Sequence, residues 1–411
     1  MPDDARLAAL PEDGASLRGE RAPLIAFIAD GASEAILREV LGEVAFPGIA
    51  IRRGNVRAAI ATLTKTPTPQ ALIIDVSGEE QPLTALGDLS EVVEPDVRVL
   101  VIGEEESVNF YRLVTRHLGA LEYLYKPLTR DMVARHFLPL LTGEHLPADH
   151  VHGGRLVTIT GVRGGAGAST IAAHLAWHFG VTAGRHTVLL DADLHFGTAA
   201  LLVDGKASAG LRTALETPQR IDELFVERAA QPVSARLFVL AGEEKPDAAP
   251  IYAEGAGEKL TEALRRRYNL VIADVPPTPL AFNQDLLALG HHRVLVLPPT
   301  LAGVRDTLRL LALPHGRLQP RRPILVLNRL GAPGSLTRAE IEDALKLKLD
   351  VVIPDLPRQM GRATTLGAPA SGLRGRFRAG IIALSNEVSF VRVADEAPAR
   401  GGRRRWFGWR R

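Results

Sequence analysis

Apolar residues fall along this chain in short, nearly unbroken runs divided by stretches of helix length, and the runs form two series. The first series is PLIAFIAD (23–30), ALIIDVSG (71–78), VRVLVIGE (97–104) and LEYLYKPL (121–128), with Asp, Gly, Glu or Pro near each close. A strand covered on both faces reads as a continuous run rather than an alternation, so this spacing predicts βα repeats around a parallel sheet. The second series is RLVTITG (155–161), HTVLLDAD (186–193), LFVLAG (237–242), YNLVIADVP (268–276), RVLVLPPT (293–300), PILVLNR (323–329) and LDVVIP (349–354). A sheet built from that many Val/Ile/Leu runs needs helices on both faces. The predicted class is α/β, with two doubly wound parallel-sheet domains and no solenoid-type repeat.

The segments between the series set the predicted boundaries. Residues 1–21 carry Pro, Asp and Gly without apolar periodicity and read as a loose arm. A first domain spans 22–140, and LTGEHLPADHVHGG (141–154) has the composition of a linker. The second domain spans 155–392, and 393–411 reads as a flexible Arg/Trp-rich tail. A length of 411 residues suits two cores better than one.

Composition narrows the chemistry. The chain has no cysteine, which excludes disulfides, thiolate zinc sites and cysteine nucleophiles and fits a reducing compartment. No run of about 18 apolar residues lacks charge, and the N-terminus does not pair a basic segment with an apolar one, so the expected location is cytoplasmic. The formal charge of +2 owes much to the terminal GGRRRWFGWRR, and charge therefore describes a tail rather than a nucleic-acid-binding face. The 12 histidines form no His-x-Glu pattern, and no Ser-His-Asp set stands out.

Candidate chemistry concentrates after the run 155–161. There the sequence reads Val162-Arg163-Gly164-Gly165-Ala166-Gly167-Ala168-Ser169-Thr170, followed by IAAHLAWHFG with helical apolar spacing. Strand, glycine loop and helix are the setting in which backbone N–H groups converge on a phosphate and the helix N-terminus adds positive potential. Either hydroxyl, Ser169 or Thr170, could ligate Mg²⁺, Ser169 being better placed. VLLDADLHFG sets Asp191 and Asp193 two apart just past a strand, and NLVIADVPP ends on Asp274, a carboxylate positioned to hold Mg²⁺ through water.

Arg163 to Thr170 resembles the deviant Walker A loop of the MinD/ParA family, K-G-G-x-G-K-[ST]-T, with Arg163 at the first lysine and Ala168 at the second. The resemblance implies a P-loop NTPase domain that binds ATP and Mg²⁺ through Arg163, Gly164, Gly165, Ala166, Gly167, Ala168, Ser169 and Thr170, with Ser169 and Asp274 as the metal residues. It implies catalytic roles for Asp191 and Asp193, one positioning the attacking water and one near the Mg²⁺ shell. It implies adenine recognition by Asn328, through its amide, and Arg329, through stacking, with IPDLPRQMGRATTLGAPA lining the base site. In that family the first lysine reaches a dimer partner's nucleotide, a task Arg163 would inherit, so a homodimer is expected. Ala168 removes the cation that meets the β- and γ-phosphates, and the expectation is binding with weak or absent hydrolysis.

The first domain resembles a response-regulator receiver, a flavodoxin-like unit. Asp75 stands at the phosphoacceptor position and Lys126-Pro127 matches the Lys-Pro after the last strand, but Asp30 is alone where receivers present two acids. Gly103 replaces the switch Thr/Ser. A degraded receiver joined to R-G-G-x-G-A-[ST]-T resembles the TadZ/CpaE family. That resemblance implies an ATP-binding scaffold that localises and helps assemble the Flp/Tad-type pilus secretion machinery, with partners in that apparatus, at the cell pole or inner membrane. The Arg- and Trp-rich tail has three open readings: contact with an anionic membrane surface, docking onto an apparatus protein, or a solubilising end. Two rival readings stay open beside the scaffold, an active ATPase partitioning cargo in the MinD/ParA manner and a response regulator acting through Asp75.

Overall fold

A computed structural model describes residues 21–43, 48–95, 97–142, 154–249, 251–314, 316, 318–319, 322–360 and 375–388. Residues 1–20 of the expected arm, most of the linker, residues 361–370 of the expected base-site segment and the Arg/Trp tail lie outside the described residues.

The first sheet is formed by β1 (Leu24–Ile28), β2 (Ile49–Arg53), β3 (Ala71–Asp75), β4 (Arg98–Gly103) and β5 (Glu122–Tyr125), in the order β2-β1-β3-β4-β5. All its pairings are parallel, and the order is that of a flavodoxin-like fold. The continuous runs of β1 and β3 feed both faces: Ile25, Phe27, Leu72 and Ile74 pack on one side, and Leu24, Ala26, Ala71 and Ile73 on the other. Helices Val56–Leu63 and Pro82–Val92 cover the first side. Helix Gly31–Glu43 and the segment Arg130–Thr142 cover the second, where Leu141 is buried and the Leu140 and Leu141 carbonyls accept from Arg98. This packed unit runs through residue 142, and Arg21 is already bonded to the Thr68 and Pro69 carbonyls.

The second sheet contains β6 (Arg155–Gly161), β7 (Thr187–Asp191), β8 (Gln231–Pro232), β9 (Leu237–Leu240), β10 (Leu270–Asp274), β11 (His292–Leu297), β12 (Ile324–Leu330) and β13 (Val351–Pro354). Their order is β13-β12-β11-β6-β10-β7-β9-β8, parallel throughout except for β8 against β9. Val157, Ile159, Leu189 and Ile272 face one core, while Leu156, Val188, Leu190 and Val271 face another. β6 lies at the centre, and β10 sits between β6 and β7, so three strand ends carrying candidate residues are neighbours.

The apolar runs located all of these strands except two. β2 was missed because IAIRR is a half-exposed edge with two arginines, and β8 because two residues carry no periodicity.

Candidate functional site: a phosphate loop beside buried carboxylates

The glycine loop leaves β6 at Gly161 and ends in helix Ala168–Trp177. Gly165 (φ 78) and Gly167 (φ 93) take left-handed backbone that a side chain disfavours. A Cβ on Gly167 would lie 2.4 Å from the Asn328 amide nitrogen, whereas Gly164 and Gly165 border open space. The helix is braced from behind by His174, whose Nδ1 lies 2.7 Å from the Thr170 carbonyl and whose ring meets Phe377 of helix Arg376–Val388 at 4.7 Å. Burial pushes the His174 imidazole down to about 4, so it is neutral at physiological pH.

At the end of β10, Asp274 is 7% exposed and aligned with Asp191 of β7. Burial pushes its carboxyl up to about 7; the Ser169 hydroxyl donates to it and opposes that rise, and the charges of Asp191 and Asp193 add to it. Asp191 is likewise raised by burial. Three carboxylates and a hydroxyl thus gather beside the phosphate loop. Among the described residues no group of three His, Cys, Asp or Glu side chains could hold a metal by itself. The donor set suits a hard cation such as Mg²⁺, which keeps waters and takes phosphate oxygens for the rest of its shell.

Several of the expected site residues engage the chain itself. Asp191 Oδ1 accepts the Asp193 N–H at 3.1 Å and Oδ2 the Ala199 N–H at 2.9 Å, with 1% exposure. Its observed task is to close the loop after β7, because a buried carboxylate takes the backbone donors within reach. Asp193 Oδ1 caps the same loop by accepting from His195 N at 3.2 Å and Phe196 N at 3.0 Å. The Asn328 amide, expected at a base edge, donates to the Ala166 carbonyl at 2.8 Å and supports the phosphate loop from below. Arg329, exposed and in left-handed backbone (φ 64), is not brought to the carboxylates by any contact.

Arg163 is held within its own chain. Its Nη1 donates to Asp306 Oδ2 at 2.8 Å, and Asp306 Oδ1 takes Arg305 Nε at 2.9 Å. The Arg305 hydrogen bond first, and Arg163 further down, hold the Asp306 carboxyl below its ordinary range. Asp306 lies in helix Leu301–Leu311, and sequence reasoning missed it because the pair spans 143 positions. The one local signal was an acid on an otherwise apolar and basic helix.

The receiver-like cluster is closed. Lys126 Nζ donates at 2.6 Å to both Asp30 and Asp75, and fully buried Asp75 also accepts from Ala29 N and Ser77 N at 2.9 Å. Against the penalty of burial, Lys126 and Ser33 hold the Asp30 carboxyl below its ordinary range. A Cβ on Gly103 would lie 2.8 Å from the Tyr123 hydroxyl, which itself accepts Glu105 N and donates to Glu105 O. The missing switch hydroxyl and the buried tyrosine are therefore one feature.

No family model matches the chain. It is 26% identical over 209 residues, 49% of this chain and 75% of the relative, to a septum site-determining protein MinD of Guillardia theta. Its structure is similar to a ParA family ATPase of Chlorobium tepidum TLS at a TM-score of 0.50 and 18% identity, covering 56% of this chain and 98% of that one. A pilus assembly protein CpaE of Caulobacter crescentus CB15 matches 30% of this chain and 93% of its own length at 25% identity and a TM-score of 0.27. The second sheet and its loop have the MinD/ParA-like P-loop NTPase fold.

Among the described residues, no helix is long and apolar enough to cross a membrane.

Proposed function

We propose that this protein is an ATP-binding scaffold of MinD/ParA type, in which Mg²⁺ and nucleotide stabilise a homodimer that recruits components of a Flp/Tad-type pilus secretion apparatus. The observation that carries the nucleotide part is the Ser169–Asp274 pair at the mouth of a glycine loop bordering open space. Bound Mg²⁺ would neutralise the buried carboxylate and link it to phosphate; Ser169 and Asp274 would hold the ion. The loop N–H groups would bind phosphate oxygens, and helix Ala168–Trp177 would add its positive end. Ala168 supplies no cation, which supports retention of nucleotide over turnover. The CpaE match and the paired domains motivate the pilus setting, and the aromatic, basic tail motivates a contact at the inner membrane surface.

Phosphorylation at Asp75 is a weaker reading, since that carboxylate is fully buried and both its oxygens are engaged.

The test is ATP binding, hydrolysis and solution mass of the purified protein with Mg²⁺, beside Ala168→Lys. Binding and dimerisation without turnover, with hydrolysis gained about 100-fold or more in the variant, support the scaffold. Steady turnover of the natural protein would instead favour the cycling ATPase, with Arg163 as the substitute cation, and a monomer under all conditions would sink the dimer.

A further inference from the structure

Helix Pro82–Val92 ends against its own electrostatics. Its last turn has no basic residue, Asp88 and Glu91 lie near its end and Glu94 follows, so acids add to the negative end of the helix dipole. Helix Val56–Leu63 ends beside it. Such a pair of ends, with terminal carbonyls lacking intrahelical donors, fits a cationic, donor-rich surface.

The second domain supplies that surface at the end of its sheet opposite the phosphate loop. Arg236 bridges the two helix ends, Nη2 donating to the Leu63 carbonyl at 3.1 Å and Nη1 to the Val92 carbonyl at 3.4 Å. Asn269 Nδ2 donates to the Val93 carbonyl at 2.6 Å and the Ser90 carbonyl at 3.3 Å. Arg185, 7% exposed and stacked 4.9 Å from the Phe179 ring centre, pairs with Glu91, and His186 Nε2 lies 3.3 Å from Glu94. With the first domain in place the Arg185 and Arg236 guanidiniums and the Asn269 amide each meet an acid or a carbonyl, while burial pushes the His186 imidazole down to about 4 and leaves it neutral beside Glu94.

These residues also sit at particular places in the chain. Arg185 and His186 directly precede β7, which ends at Asp191, and Asn269 directly precedes β10, which ends at Asp274. Two adjacent five-residue strands, about 16 Å long, run from the latch to the carboxylates.

We propose that Arg185, Arg236 and Asn269 form an electrostatic latch holding the first domain on the second as one cooperative body, through which occupation of the nucleotide site steadies the first domain. The second half of this proposal rests on the nucleotide reading above.

Hydrogen exchange on the full chain tests it. Arg236→Ala/Asn269→Ala is expected to speed exchange of the Ser90–Glu94 amides at least tenfold and to split thermal unfolding into two steps. The reversal Arg185→Glu is expected to do the same, and adding Glu91→Arg to restore protection, which a merely structural loss would not allow. Unchanged exchange in the double variant would overturn the latch. Mg²⁺ with ATP is expected to slow exchange at Ser90–Glu94 in the natural protein but not in the double variant. Nucleotide bound, as read by equilibrium dialysis, with no such slowing would overturn the coupling. No binding at all would count against the nucleotide reading, while the variants would still decide the latch.

Discussion

Each domain of this protein gathers carboxylates at the carboxyl ends of parallel strands, and the two gatherings differ in one respect. In the first, Lys126 lies between Asp30 and Asp75 and pairs with both from within the chain. In the second, Asp274, Asp191 and Asp193 have a hydroxyl, Ser169, and among the described residues no cationic side chain forms an ion pair with them, and the Asp274 carboxyl rises to about 7. A buried acid that pairs internally is a finished structural element, whereas one whose pKa is driven up by its neighbours is a place where an external cation gains binding energy. The difference separates a flavodoxin-like cluster closed by its own lysine from a phosphate-loop cluster whose donor set suits Mg²⁺.

Breaking the closed cluster has the largest expected effect. Lys126→Met leaves Asp75 buried beside Asp30 without its cation, and loss of about 3 kcal/mol is expected, read by denaturant unfolding of the first domain. Asp75→Asn in the same background should recover most of it, because the uncompensated charge is then gone.

The open cluster is sharpened by pH. The Asp274 carboxyl titrates near 7 in the folded protein against an ordinary 3.8, so the folded state holds the extra proton between those values. Stability from this group is highest below about 4 and falls as pH rises through 7, by at most about 4 kcal/mol at 1.4 kcal/mol per unit. Asp274→Asn should flatten that slope, and Mg²⁺ should stabilise the natural protein above pH 7 but not the variant. A stability profile that is the same for both proteins would mean the carboxylate is balanced after all.

Smaller effects probe the supports of each cluster. Gly103→Thr places a side chain 2.8 Å from the Tyr123 hydroxyl, so displacement of that ring and a loss of about 1–3 kcal/mol in thermal unfolding are expected. Asn328→Ala removes the donor to the Ala166 carbonyl and should lower stability by about 1 kcal/mol. It should also weaken nucleotide binding by loosening the loop, whereas a residue that only paired with the base would change base selectivity without changing stability.

Much of this molecule was legible in its residues. Continuous Val/Ile/Leu runs located most strands, because a strand buried on both faces has no polar side to display; β2 escaped as a half-exposed edge and β8 because two residues carry no periodicity. The glycine loop and the order of Ser169, Asp191 and Asp274 were legible because backbone conformation and position at a strand end are local properties. Partnership is not local. That Asn328 would turn to the phosphate loop and Arg163 rest on Asp306 followed from strand order and helix placement, which bring together groups up to 162 positions apart. The latch is the extreme case: acids at a helix end look misplaced in one dimension, and the packing of one domain on the other brings Arg185 to Glu91, while Arg21 of the first domain lies 3.6 Å from Glu94.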